Sequence, residues 1–161
     1  HRNVRGGIFI PGAYPMTTFV PFGRFVGALP SGRRAGEPLS NGVSPASGSE
    51  RKGLTASMRS VTKVDYSLYP NGVSYTVTLP PDLFSGDEGT EKLAALIKTY
   101  FEMGGMHMHF NVVNVETLIE AQKNPEKYRD LIVRVAGWSA YFVELTKEVQ
   151  DQIIQRYMRK M

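Results

Sequence analysis

From His1 to about Gly48, proline and glycine recur so closely that no long uninterrupted helix fits, and this constrains the fold more than any other feature of the chain. Short extended pieces are what remain. Gly7-Ile8-Phe9-Ile10-Pro11-Gly12 and Met16-Thr17-Thr18-Phe19-Val20 read as strands, because β-branched and aromatic residues are bounded there by Pro and Gly. Pro15 and Pro21 restrict their own positions to edges, strand ends or loops. The run from Pro30 to Pro45 is denser still in turn residues and reads as a solvated loop.

Beyond Gly48, periodic segments take over. Lys52 to Lys63, with Leu54, Met58 and Val61, predicts a helix. Tyr75-Thr76-Val77-Thr78-Leu79 predicts a strand, preceded by a turn at Asn71-Gly72 and closed by Pro80-Pro81. Thr90 is expected to cap a helix from Glu91 to Met103, whose Leu93, Leu96, Ile97, Tyr100 and Phe101 fall at helical spacing, with Gly104-Gly105 as its stop. Asn114 suits the cap of a short helix through Ala121, and Pro125 opens a turn through Tyr128. Thr146 is expected to cap the last helix, with Val149, Ile153, Ile154 and Tyr157 inward and Lys147, Glu148, Asp151 and Gln152 facing water.

Met106 to Val113 predicts a strand that turns His107 and His109 to one face. Two histidines so spaced suit a metal site completed by Glu116 or His1, or hydrogen-bonded packing. Nothing fixes a ligand set, so packing is the reading adopted and no metal is expected.

A chain of 161 residues is long enough for one domain with a real core, and 42% hydrophobic with 21% charged residues is ordinary for a soluble protein. No apolar run approaches a membrane span and no leader is evident, so a cytoplasmic protein without membrane contact is expected. The formal charge of +4 is mild and mostly scattered, and Arg5-Gly6-Gly7 occurs once, so nucleic acid is not an expected partner. There is no cysteine, which excludes disulfides and thiol chemistry within these residues.

Glycine interrupts an apolar run once where it matters. Leu131-Ile132-Val133-Arg134-Val135 reads as a buried strand and Trp138 to Leu145 as a second apolar segment, with Gly137 between them. An isolated Gly in such a run marks a bulge, a tight bend or a close backbone approach. The whole string Arg134-Val135-Ala136-Gly137-Trp138-Ser139-Ala140-Tyr141-Phe142 resembles the signature of glycyl radical enzymes. Phe110-Asn111-Val112-Val113, Glu116-Thr117-Leu118, Pro125 to Leu131 and Leu145 to Ile154 resemble the same family around it. Tyr14-Pro15-Met16-Thr17, Val20-Pro21-Phe22-Gly23, Gly32-Arg33-Arg34-Ala35-Gly36 and Pro38-Leu39 extend the likeness, more loosely, toward the N-terminus.

The resemblance implies an α+β fold, the C-terminal portion of a ten-stranded barrel of the glycyl radical enzyme type completed by another chain, so that these residues would be the small glycyl-bearing subunit of a split enzyme or equally the C-terminal fragment of one. Residues 1–86 would supply late barrel strands and connecting loops, and 87–161 the glycyl radical domain. Gly137 would store the radical, with Arg134, Val135, Ala136, Trp138 and Ser139 as its loop neighbours. Glycine suits that task because a flattened Cα delocalises the unpaired electron and a Cβ would resist flattening. Tyr14, Met16 and Thr17 would line the substrate pocket or simply pack.

The cofactor implied is the radical itself, installed by a radical S-adenosylmethionine activase, with no bound metal or organic cofactor in this chain. The partners implied are that activase, a large subunit carrying the thiyl cysteine, and a small-molecule substrate of the dehydratase, lyase or decarboxylase type. The alternative is a stand-alone module that replaces an oxygen-damaged glycyl domain, for which Tyr14 to Pro45 would have no evident use.

Overall fold

The computed structural model describes residues 2–14, 17–135 and 137–157. His1, Met16, Ala136 and the side chain of Tyr157 lie outside the described residues. The elements in chain order are α1 (Phe19–Gly23), α2 (Leu54–Val61), β1 (Thr76–Leu79), α3 (Gly86–Glu102), β2 (His109–Val112), α4 (Val115–Lys123), β3 (Ile132–Arg134), β4 (Ser139–Tyr141) and α5 (Lys147–Tyr157), with short 3-10 turns between some of them.

The first third departs from the expected strands. Ile8 makes only an isolated antiparallel bridge to Arg2, and residues 9–12 form no regular element. Phe19 and Val20 start a helical turn instead of ending a strand. Pro21 sits in the first turn of that helix, where its missing N–H removes no intrahelical bond, and burial of Phe19 and Val20 outweighs their β preference. The expected cap at Thr90 is also displaced. α3 starts after Ser85, four residues before Thr90, whose Oγ1 donates back to the Gly86 carbonyl at 2.9 Å. Asp87 and Glu88 in the first turn complement the helix dipole. At the other end Gly104 has φ +90° and ends the helix as expected.

β1 and β2 run parallel, Thr76 opposite His109 and Leu79 opposite Val112, with α3 as the crossover. Tyr75, Val77 and Leu79 share one face of this pair with Met108 and Phe110, and pack on Met58, Val61 and Tyr100. The other face carries Ser74 and Thr76 beside His107 and His109, so the small sheet is apolar on one side and polar on the other. β3 and β4 form an antiparallel hairpin. Its Val133, with Val135 and Phe142, joins Leu118 and Ala121 of α4, Val149, Ile153 and Ile154 of α5, and Phe19 and Val20 in a second core. Among the described residues no helix is long and apolar enough to cross a membrane.

Two polar segments are buried where water contact was expected. Gln152 on α5 is buried and its Oε1 accepts from Ser47 Oγ at 2.9 Å, because the loop before α2 folds over that face of the helix. The Pro30–Pro45 loop is not simply solvated either. Arg33 is buried and its guanidinium donates to the carbonyls of Pro38 (3.2 Å), Gly27 (2.8 Å), Gly23 (2.7 Å) and Glu37, gathering the loop around one cation. Arg33→Met should therefore destabilise the fold by about 2–4 kcal/mol, since several carbonyls lose a charged donor at once. Arg33→Lys should recover little, because an ammonium cannot reproduce the planar fork. Thermal unfolding of both variants checks this, and two near-native midpoints would count against it.

Candidate functional site

The β3–β4 hairpin turns through Gly137. Val135 N donates to the Trp138 carbonyl at 2.9 Å across the end of the hairpin, and Gly137, between them, has a φ of +84°. An L side chain is strained in that conformation. Space is not the obstacle. Among the described residues beyond its chain neighbours, a Cβ built on Gly137 would meet only His109 Nε2, at 3.9 Å. The Cα therefore stands on an open groove of about 580 Å³, lined by Tyr14, Gly72, Val73, Ser74, Met106, His107, His109, Gly137 and Trp138.

Tyr14 reaches the groove because Ala13 bridges Val73 in parallel fashion, with Ala13 N donating to Gly72 O at 3.0 Å and Ser74 N to Ala13 O at 2.9 Å. Its hydroxyl bonds to the Asn71 carbonyl. Of the other expected site residues, Trp138 lines the groove and is 44% exposed, while Val135 is buried in the core behind it. Arg134 Nη1 donates to Ser139 Oγ at 3.3 Å across the hairpin. Thr17 is not among the lining residues.

Three buried amide side chains grip the backbone of the hairpin and of the turn that follows it, from different parts of the fold. Asn111 on β2 accepts from Arg134 N and donates to Arg134 O, both at 2.6 Å. Asn41 lies between the Val135 carbonyl and the Arg156 guanidinium. Gln150 on α5 donates to the carbonyls of Phe142 at 2.9 Å and Leu145 at 3.1 Å. Sequence reasoning assigned these residues no such role. A faint signal existed for Asn111, an amide inside the apolar run Phe110 to Val113, where a buried polar group needs a partner.

The histidines meet edge to face with ring centroids 4.0 Å apart. The Tyr75 amide approaches His107 Nδ1 at 3.5 Å. Among the described residues no group of three or more His, Cys, Asp or Glu side chains is placed to hold a metal. Burial, then the neighbouring His107 and Arg134, lower the His109 pKa from 6.5 to about 4, and burial followed by Arg134 lowers that of His107. Both imidazoles are neutral at pH 7.

The sign of the resulting pH effect follows from linkage. Between pH 6.5 and about 4 the unfolded chain binds a proton at His109 that the folded chain resists, so stability rises with pH across that window and the penalty is fully present below it. His109→Gln should flatten this part of the stability profile. Denaturant titrations of both forms from about pH 4 to 7 test it, and parallel profiles would contradict the placement of His109.

The string around Gly137, set in a glycine turn facing a groove, has a counterpart among known proteins. Residues 39–143 match the glycine radical family, and the chain belongs to it. Its structure superposes on the glycerol-bound B12-independent glycerol dehydratase of Clostridium butyricum with a TM-score of 0.91 at 47% identity, over 97% of this chain and 20% of that one. A glycyl radical enzyme from Archaeoglobus fulgidus gives 0.88 at 54% identity, again over 97% and 20%. The isethionate sulfite-lyase of Oleidesulfovibrio alaskensis is 45% identical over 144 residues, 88% of this chain and 17% of its own length. The chain thus spans about a fifth of the length of the curated relatives it matches. The fold is accordingly α+β and corresponds to one part of the barrel enzymes of this family.

Proposed function

We propose that Gly137 is the residue on which this chain holds a glycyl radical, and that the chain acts as the radical-bearing part of a lyase of the dehydratase type. The observation that carries this is Gly137 itself, at φ +84° in the turn of the family's signature string, with its Cα open to a groove. A radical S-adenosylmethionine activase would remove one Cα hydrogen atom. The radical would then take a hydrogen atom from a cysteine thiol, restoring glycine and leaving a thiyl that starts an elimination or bond cleavage on a small molecule.

The cysteine lies outside these 161 residues, which contain none. In this reading a large subunit brings it to the groove, residues 1–86 act as late barrel segments and 87–161 as the glycyl radical domain, in a cytoplasmic assembly. Apolar exposure supports a covering partner: Phe9 (65%), Phe25 (86%), Val112 (59%) and Ile132 (58%) stand open on this chain alone. A repair module would have no evident use for the Tyr14 segment, and Tyr14 shares the groove with Gly137. Tyr14 is accordingly proposed as a pocket residue, while Met16 and Thr17 are proposed beside it on the family likeness alone.

The test is anaerobic activation of the complete enzyme, with its activase, followed by electron paramagnetic resonance. A doublet from the one remaining Cα hydrogen is expected, and it should collapse when glycine is deuterated at Cα. A signal that keeps its splitting after deuteration would sink the reading. Identification of the chain that co-purifies decides the rest: a cysteine-bearing chain without the Tyr14 to Pro45 motifs supports a split enzyme.

A further inference from the structure

We propose that Asn111 is the positioning residue that fixes the Gly137 hairpin to the barrel segment, an inference that rests on the reading of Gly137 as the radical's site. β3 pairs with β4 in a register that sets Arg134 opposite Ser139. The Arg134 N–H and C=O are both taken up by Asn111, at 2.6 Å each, so one side-chain amide does what a neighbouring strand's peptide would do. β1–β2 and β3–β4 are separate two-stranded sheets, and Asn111 ties one to the other.

Asn111 and His109 alternate with Phe110 on β2, so both face the hairpin. Asn111 holds the backbone three residues before Gly137, and His109 Nε2 lies 3.9 Å from where a Cβ on Gly137 would stand. The turn bond from Val135 N to Trp138 O leaves little freedom between the two points. Asn111 is 5% exposed, so water does not readily replace it if the amide is lost. The radical's carbon is thereby held at a set depth in the groove.

The test uses Asn111→Asp in the complete enzyme, because a protonated carboxyl copies the amide pattern: one oxygen accepts from Arg134 N while the O–H donates to Arg134 O. Once ionised it cannot donate, and it faces a carbonyl. A carboxyl buried there titrates above its ordinary range, so the variant is expected to switch between about pH 5.5 and 9. The charged and titratable groups around the hairpin are His107 and His109 from β2, Arg134 itself, and Arg156 of α5 beyond Asn41. Wild type measured at each pH controls for all four.

Hydrogen exchange of residues 131–138 is measured before activation, and radical lifetime after activation and anaerobic transfer to each buffer. At high pH the variant should lose protection and radical lifetime by about tenfold, the scale of one or two hydrogen bonds, and regain both at low pH. Asn111→Ala should show the loss at every pH. An Asp variant that matches wild type at high pH, or one equally impaired at both ends, overturns the proposal. Wild type without a doublet would overturn the Gly137 reading instead, and the exchange measurement alone would still decide whether Asn111 holds the hairpin.

Discussion

Gly137→Ala in the complete enzyme is expected to abolish both the radical signal and turnover while leaving the fold in place. The two losses differ in origin. The fold loses little: among the described residues beyond its chain neighbours a Cβ at this position meets only His109 Nε2 at 3.9 Å, so the cost is that of a left-handed backbone for alanine, about 1–2 kcal/mol. The chemistry loses everything, because a Cβ resists the planar Cα that spreads the unpaired electron onto the flanking amides. Near-native thermal unfolding with no doublet and no product is the expected pair of results. A persistent doublet in the alanine variant would place the radical elsewhere, and a variant that fails to fold would show that the turn tolerates alanine worse than its open surroundings indicate.

Oxygen should cut the chain at the same residue. Molecular oxygen adds to a carbon radical, and addition at the Gly137 Cα breaks the backbone there, leaving a long piece that ends near Ala136 and a tail that begins around Trp138. Cleavage requires the radical, so only samples activated and then exposed to air should show it, and there it should approach the fraction that carried the radical. Adventitious proteolysis would favour other places. The exposed loop from Gly27 to Ser31 is such a place, whereas Gly86 to Gly89 form the first turn of α3 and are protected by it. Intact-mass analysis of activated and unactivated enzyme after equal exposure separates the two. Equal cleavage in both samples, or loss of a verified radical without a break at this site, would contradict the assignment of Gly137.

The same elements show what was legible in advance. α2, β1 and α4 lie within or close to their expected ranges, because local periodicity and Gly/Pro punctuation report burial and chain direction over a few residues. The Gly137 turn was legible for the same reason: a glycine between two apolar runs has few other uses. The N-terminal segment was misread where local propensity and packing disagree. Phe19 and Val20 look like strand residues, yet they turn helically to reach the core against α5, where the Arg156 guanidinium lies 5.3 Å from the Phe19 ring centroid.

By itself, then, the sequence determined the family likeness, the residue that must be glycine and the positions of most helices, since each of these is written in short, contiguous strings. Only the tertiary structure decided what surrounds that glycine. Asn111 meets Arg134 across 23 positions and Asn41 meets Val135 across 94. Side-chain pairing to a distant backbone leaves no period in either partner, and a two-residue strand alternation says that His109 and Asn111 share a face without saying what the face meets. The convergence of Tyr14, Ser74, His109 and Trp138 on one groove has the same cause: the path that brings Ala13 beside Val73 is fixed by packing and long-range hydrogen bonds, which no local pattern encodes.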